Sequence, residues 1–169
     1  GLEAGERLTN SQISYFHFVK EDQKGLSLQM WSKNTLNYCN ATPKDTHYSI
    51  DEAGVWVDCV RKKKPVIHND YESLKHKKGL PNGHTPVLRD MTVPVFDKKK
   101  IVAIIGVGNK KENYTDFDKN ILSLIAETVW SIIQRKRSQK KLIENEEHLH
   151  RIVENSPLAM TSSIGNNVD

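Results

Sequence analysis

The chain has 169 residues, 37% hydrophobic and 27% charged, with a formal net charge of +4, a composition that suits one soluble globular domain with an extension but not two full-sized domains. No run of 18 or more apolar residues is available to cross a bilayer and no signal peptide is visible; the basic residues fall in separate clusters at Arg61 to Lys64, Lys75 to Lys78, Lys98 to Lys100 and Arg135 to Lys141, which argues against nucleic acid as a partner. Two cysteines, Cys39 and Cys59, without a CxxC pair, point to neither a disulfide framework nor a zinc site and fit a reducing, cytoplasmic setting.

Residues 1 to 9 read as the tail of a helix, with Leu2 and Leu8 as core contacts and Thr9-Asn10-Ser11 as its stop. Ile13 to Val19 is rich in aromatic and β-branched residues and reads as a strand. Glu21 to Gly25 forms a hairpin turn, and Leu26, Leu28 and Met30 alternate with polar neighbours in a second strand that ends at Trp31 and Ser32. Asn34 to Lys44 is polar and irregular. Ser49-Ile-Asp-Glu52 has the form of a capping box and predicts a helix from about Ile50 to Lys63, with Val55, Trp56, Cys59 and Val60 on its buried stripe. Pro65 stops that helix, and Val66 to His68 is a short strand.

The segment from His68 to Pro86 contains Gly, Pro, Asn and three histidines without helical or strand periodicity. At roughly 17 residues it exceeds ordinary connections, as binding loops and lids do. Met91, Val93 and Val95 then alternate with Thr92, Pro94 and Phe96. The turn Asp97 to Lys100 follows, and Ile101 to Gly108 returns as an apolar strand, so this is an antiparallel hairpin. Pro94 predicts an edge or a bulge, and Gly106 and Gly108 permit a close approach to the backbone. Thr115 caps a last helix with Asp116 and Asp118 in its first turn. No Gly or Pro interrupts that helix before Pro157. Its heptad positions Ile125, Ile132, Gln139, Glu146 and Val153, with Thr128, Arg135, Leu142 and Leu149, form a seam that is apolar at both ends and polar in the middle.

This order of elements, together with Trp31-Ser32, Gly54-Val-Trp56, Pro65-Val-Ile-His-Asn-Asp-Tyr71, Lys78-Gly-Leu-Pro81, Gly83-His84, Val93-Pro-Val95, the run Ile101 to Asn109 and Tyr114-Thr115, resembles a GAF domain of the kind found in prokaryotic multidomain sensor histidine kinases. The resemblance covers residues 1–137. Residues 138–160 look like a coiled-coil linker leading into the opening helix of a PAS domain, and residues 161–169 read as an unstructured tail. The resemblance implies an α+β fold. In it, a central antiparallel sheet of five or six strands carries the terminal helices on one face and the ligand-cup loops on the other. It further implies an unknown small molecule as ligand, a homodimer through the C-terminal helix, and downstream PAS and kinase domains of the same chain. Haem, with a Cys or His as axial ligand, is an alternative cofactor, and a redox enzyme related to methionine sulfoxide reductases is an alternative activity. No Walker loop or phosphoacceptor motif is present, so the expected role is ligand binding without catalysis.

The candidate ligand-binding residues follow from the loop and its neighbours. His68, at a strand end beside Asn69 and Asp70, either binds ligand or is held by a carboxylate; Asn69 makes a polar contact or an Asx turn. Tyr71 offers a ring and a hydroxyl. Leu80, Val87 and Met91 line a pocket or fill the core, and His84 with Arg89 suits an anionic or carbonyl group. Trp31 and Trp56 serve as wall or core. Cys59, on an apolar helix face, is inert or lines the cup, whereas Cys39 lies in a polar loop and is the better candidate for reactivity. Metal ligation by His68, His76 and His84 needs tertiary convergence. No metal site is expected.

Overall fold

The computed structural model describes residues 1–38, 47–78 and 84–155. Six antiparallel strands form one sheet in the order β3-β2-β1-β6-β5-β4: β1 is Ile13–Val19, β2 Gly25–Trp31, β3 His47–Ser49, β4 Val66–His68, β5 Asp90–Asp97 and β6 Lys100–Gly108. Helices α1 (Leu2–Thr9), α2 (Lys33–Tyr38), α3 (Asp58–Lys62) and α4 (Asp116–Glu154) complete the α+β architecture with one 3₁₀ turn, Val55–Val57. The strands expected over Ile13 to Val19, Val66 to His68 and the hairpin after Met91 are present, because β-branched alternation and the Lys98 turn at φ 55° favour them.

Alternation divides the sheet into two faces, since directly paired residues on neighbouring antiparallel strands point the same way. Ser14 pairs with Val107, which pairs with Met91, and this row lies under the terminal helices. A Cβ on Gly5 of α1 would sit 3.5 Å from Leu122 of α4 and 3.7 Å from Val107. Trp130 meets the ring of Phe18 at 6.2 Å. On the opposite face, Val19, Leu26, Val66 and Ile104 pack with Ala53, Val57, Cys59 and Val60 from the 3₁₀ turn and α3. One sheet thus separates two apolar layers. Residues Gly1–Trp130 make up this compact unit.

Three local expectations are corrected. The helix predicted from Ile50 starts only at Asp58, because Ser49 is taken into β3, where it pairs with Gly25, and Gly54 is extended at ψ −159°. The Arg61 guanidinium instead binds the carbonyl oxygens of Ile50, Ala53 and Gly54 at 2.6 to 3.0 Å. The region read as irregular from Asn34 begins with α2, whose Thr35 hydroxyl accepts from the Ser14 amide and donates to the Ser14 carbonyl. Leu8 is exposed, whereas Leu2 is buried: α1 turns Gly5, Glu6 and Thr9 toward the sheet. Pro94 faces Ile104 of β6 beyond the stretch where β4 pairs with β5, close to the register shift after Val95, so its missing amide leaves no ladder bond unmade.

The segment Ser131–Asp169 is the second unit. Its described residues up to Glu154 lie in α4, where Ile132, Leu142, Leu149 and Val153 of the heptad seam are exposed. The tail at 161–169 and residues 156–160 of the expected PAS start lie outside the described residues.

Candidate functional site

The sheet face turned away from the terminal helices carries two adjacent rows of chemically able side chains. Tyr15, Gly106, Thr92 and Val66 form one; Ile13, Gly108, Asp90 and His68 form the next. The Tyr15 ring lies over Gly106, so close that a Cβ there would stand 2.6 Å from Cε2. A glycine is required by that approach. Trp56 from the 3₁₀ turn stands perpendicular to Tyr15 at 6.0 Å and is tilted on His17 at 4.8 Å, and His17 meets Tyr15 edge-on at 5.4 Å. Edge-to-face pairs of this kind fix ring orientation. Tyr15, Trp31 and Trp56 are half-buried, while Tyr71 and His17 are buried.

Beside this aromatic wall runs a chain of acids and imidazoles. Asp90 Oδ1 is 3.0 Å from His68 Nδ1, His68 Nε2 is 3.4 Å from Asp58 Oδ2, and Asp58 Oδ2 is 2.9 Å from His76 Nε2. The chain links β4 and β5 to α3 and then to the 69–78 segment, so the loop is held to the sheet by charge as well as by backbone. Burial pushes the Asp58 carboxyl up, but His76, Arg61 and Lys62 together hold it below the usual carboxylate range. Asp90 goes the other way: burial raises it and His68 offsets only part. Its charge also helps, after burial, to push up Tyr15, Tyr71, Tyr114 and Cys59, the last to about 12. Asp90 is therefore within electrostatic reach of all four. Burial lowers His17 to about 4.

Of the sequence-predicted residues, Trp31, Trp56, Cys59, His68 and Tyr71 gather on this side. Cys59 is fully buried in the apolar layer beside the Thr92 hydroxyl, which makes it a core residue. Met91 is corrected: it pairs with Val107 and faces the terminal helices, because one residue along a strand reverses the side chain's face. Asn69 spends both ends of its amide on the backbone of Tyr114, at 3.0 and 2.7 Å. It ties the loop entrance to the segment before α4. Arg89 donates to Asn113 Oδ1 at 3.1 Å and to the Lys110 carbonyl, so it braces the turn after β6 and pairs with neither Asp90 nor Glu72. His84 Nδ1 is 2.7 Å from the Thr85 carbonyl oxygen, and Val87 is half-buried. Leu80 and Cys39 lie outside the described residues. Both nitrogens of His68 face carboxylates, an arrangement that suits a polar bridge more than an iron ligand, and among the described residues no group of three or more His, Cys, Asp or Glu is placed to hold a metal ion.

Sequence reasoning passed over Tyr15, His17, Asp58 and Asp90. The first two carry a signal, since Ile13, Tyr15, His17 and Val19 share one face of a strand and two of them are polar. The two aspartates carry none; only the fold brings residues 58, 68, 76 and 90 together.

The family model described as "GAF domain" matches residues 1–134. The chain is 38% identical over 141 residues, 83% of its length, to the methyl sulfide methyltransferase-associated sensor of Methanosarcina acetivorans, and spans 14% of that protein. Among solved structures it resembles the GAF domain of a phosphoenolpyruvate-protein phosphotransferase from Coxiella burnetii, with TM-score 0.65, 10% identity, and coverage of 80% of this chain and 79% of that one. It also resembles the type II free methionine-R-sulfoxide reductase of Thermoplasma acidophilum, with TM-score 0.55, 16% identity, and coverage of 74% and 83%. At those identities the two structures speak for the fold alone. The sheet order, the terminal helices on one face and the family match over residues 1–134 agree: this chain belongs to the GAF domain family.

Proposed function

We propose that this chain is the small-ligand sensory domain of a cytoplasmic signal-transduction histidine kinase, without catalysis of its own, and that it passes ligand occupancy to a PAS domain and kinase through a dimeric helix α4. One observation supports the ligand role above the rest. On the sheet face turned away from the terminal helices, buried polar atoms of Tyr15 and Asp90 have no hydrogen-bond partner among the described residues, and the two residues stand in adjacent rows of that face. Buried polar groups are ordinarily satisfied, and a pocket of apolar walls with a few convergent polar groups is the usual form of a small-molecule site. The likeness to a protein named as a sensor favours the same reading.

Hydrogen bonds at the start of α4 support the relay. Asn69 holds the loop entrance to Tyr114, and Thr115 and Lys110 hold Asp118 in the first turn of α4. A ligand that prefers one arrangement of the loop thereby biases the start of the helix. The exposed apolar seam of α4 supplies a surface for a second copy. Native mass spectrometry of the purified chain, followed by identification of anything released on denaturation, tests the ligand role, with light scattering on the chain with and without residues 138–169 for the dimer. A co-purified small molecule and a dimer lost on truncation are expected. An apo monomer that binds nothing from a metabolite mixture overturns the reading.

A further inference from the structure

Two basic clusters that lie apart in the sequence, Arg61 to Lys64 and Lys98 to Lys100, emerge from one patch of core. Val60 of α3, Val66 of β4 and Ile101 of β6 pack in the same apolar cluster, so the run that follows Val60 and the run that precedes Ile101 leave it at the same end of the sheet. β4 runs antiparallel to β5 with Val66 beside Thr92, which puts the chain before Val66 toward the Phe96 end of β5. Arg61 and Lys62 are drawn back by Asp58. Lys63, Lys64, Lys98, Lys99 and Lys100 are exposed, and the lysines that form ion pairs in the compact unit are others: Lys62, Lys77, Lys110 and Lys119 among the described residues. Asp97 is the only acid within either run.

The rest of this end is balanced. Gln23 binds the Ile101 backbone through both ends of its amide, at 2.9 and 3.0 Å, and ties the β1–β2 turn to the start of β6; in that turn Lys20 and Lys24 are matched by Glu21 and Asp22. The excess positive charge therefore sits on the side of β4, β5 and the turn between β5 and β6. A large ring joins it there. Phe96 pairs with Ile101, so the two share the sheet face that carries α3; Ile101 is 3% exposed and Phe96 45%. Lysines alone suit any polyanion. A ring at their side narrows the choice, because the surface of an anionic bilayer takes ammonium groups on its phosphates and an aromatic side chain in its headgroup layer, whereas single-stranded nucleic acid is held by successive rings along a groove.

We propose that this end of the compact unit docks on an anionic lipid surface, with the ammonium groups of Lys63, Lys64 and Lys98 to Lys100 on lipid phosphates and the Phe96 ring in the headgroup layer. This goes beyond the sensory reading and does not depend on it, since the docking end needs no ligand. The attachment is peripheral and reversible: a handful of lysines and one ring hold the domain against a charged leaflet without spanning it. Charge supplies the attraction and its salt dependence, and the ring supplies a part that salt does not screen.

The test sediments the full chain with vesicles of phosphatidylcholine alone and of equal parts phosphatidylcholine and phosphatidylglycerol, at low and at high salt. The expected result is binding to the anionic vesicles at least about tenfold tighter than to the neutral ones, weakening as salt rises. The variant Lys98→Asn/Lys99→Ser/Lys100→Ser lowers that affinity at least about tenfold; Asn suits the left-handed backbone at position 98. Phe96→Ser weakens binding as well and leaves its salt slope unchanged. A control, Lys136→Gln/Lys140→Gln/Lys141→Gln, removes the same charge from α4 and changes the affinity by less than about threefold. Thermal denaturation shows each variant to be folded. The inference is overturned by equal binding to both kinds of vesicle, by a loss in the α4 control as large as in the turn variant, by full binding in Phe96→Ser, or by tighter binding of a duplex oligonucleotide than of the anionic vesicles.

Discussion

Replacing Gly106 by alanine tests whether the Tyr15 ring is seated on the sheet as described. The added methyl meets Cε2 of Tyr15 at 2.6 Å and lies closer still to Cζ and the hydroxyl oxygen. Carbon atoms in contact are ordinarily 3.5 to 4.0 Å apart, so the ring has to move by about 1 Å or more. It has little room to do so, since His17 and Trp56 hold it edge-on at 5.4 and 6.0 Å and its hydroxyl is buried. Overpacking of this kind costs about 1–3 kcal/mol. For a chain of this size that lowers Tm by roughly 2–12 °C. The assay is urea and thermal denaturation of Gly106→Ala, Tyr15→Ala and the double variant. If the clash is the cause, the double variant is more stable than the sum of the single changes predicts, by about 1 kcal/mol or more. A Gly106→Ala protein within about 0.5 kcal/mol of the parent, or strict additivity in the double variant, refutes the seating of Tyr15 and with it the wall of the proposed site.

Two further outcomes follow from burial. His17 is lowered from 6.5 to about 4, which corresponds to about 3 kcal/mol. The unfolded chain takes up a proton near pH 6.5 while the folded chain resists it down to about pH 4, so this stability is complete above pH 6.5 and is lost as pH falls through that window. Urea denaturation then gives a stability lower by about 2 kcal/mol at pH 5 than at pH 7.5, and His17→Leu removes most of that difference; an unchanged slope in the variant shows the assignment to be mistaken. Asp58 and Asp118, held low by their partners, lose their contributions only below the carboxylate range, outside this window. Cys59 is fully buried, and burial pushes its thiol up to about 12. In a Cys39→Ser background it stays unreactive to a disulfide reagent until denaturant unfolds the chain, and rapid labelling of the folded protein would revive a redox role.

Much of the fold is legible in the sequence because it depends on neighbours along the chain. β1 and the β5–β6 hairpin follow from period-2 alternation and a tight turn, and α4 follows from Thr115, Asp118 and an uninterrupted run without Gly or Pro. Gly106 was identifiable as a place of close approach, though not by what. Local signals failed where a distant strand competed with them. The Ser49 capping box lost to β3 pairing, since a strand that completes a sheet edge satisfies backbone groups that a helix start leaves open. The site was legible only as a loop and a set of candidate rings. Whether Met91 points into the cup or away from it is a matter of strand register, one residue deciding between opposite faces. The meeting of Asp58, His68, His76 and Asp90 is a matter of packing α3 and the loop onto two strands. Elements and their order were determined by the chain itself, because hydrogen bonding and side-chain periodicity act over a few residues. The site's chemistry was decided by tertiary structure, because a carboxylate's protonation and partners depend on burial and on charges that sequence separation does not encode.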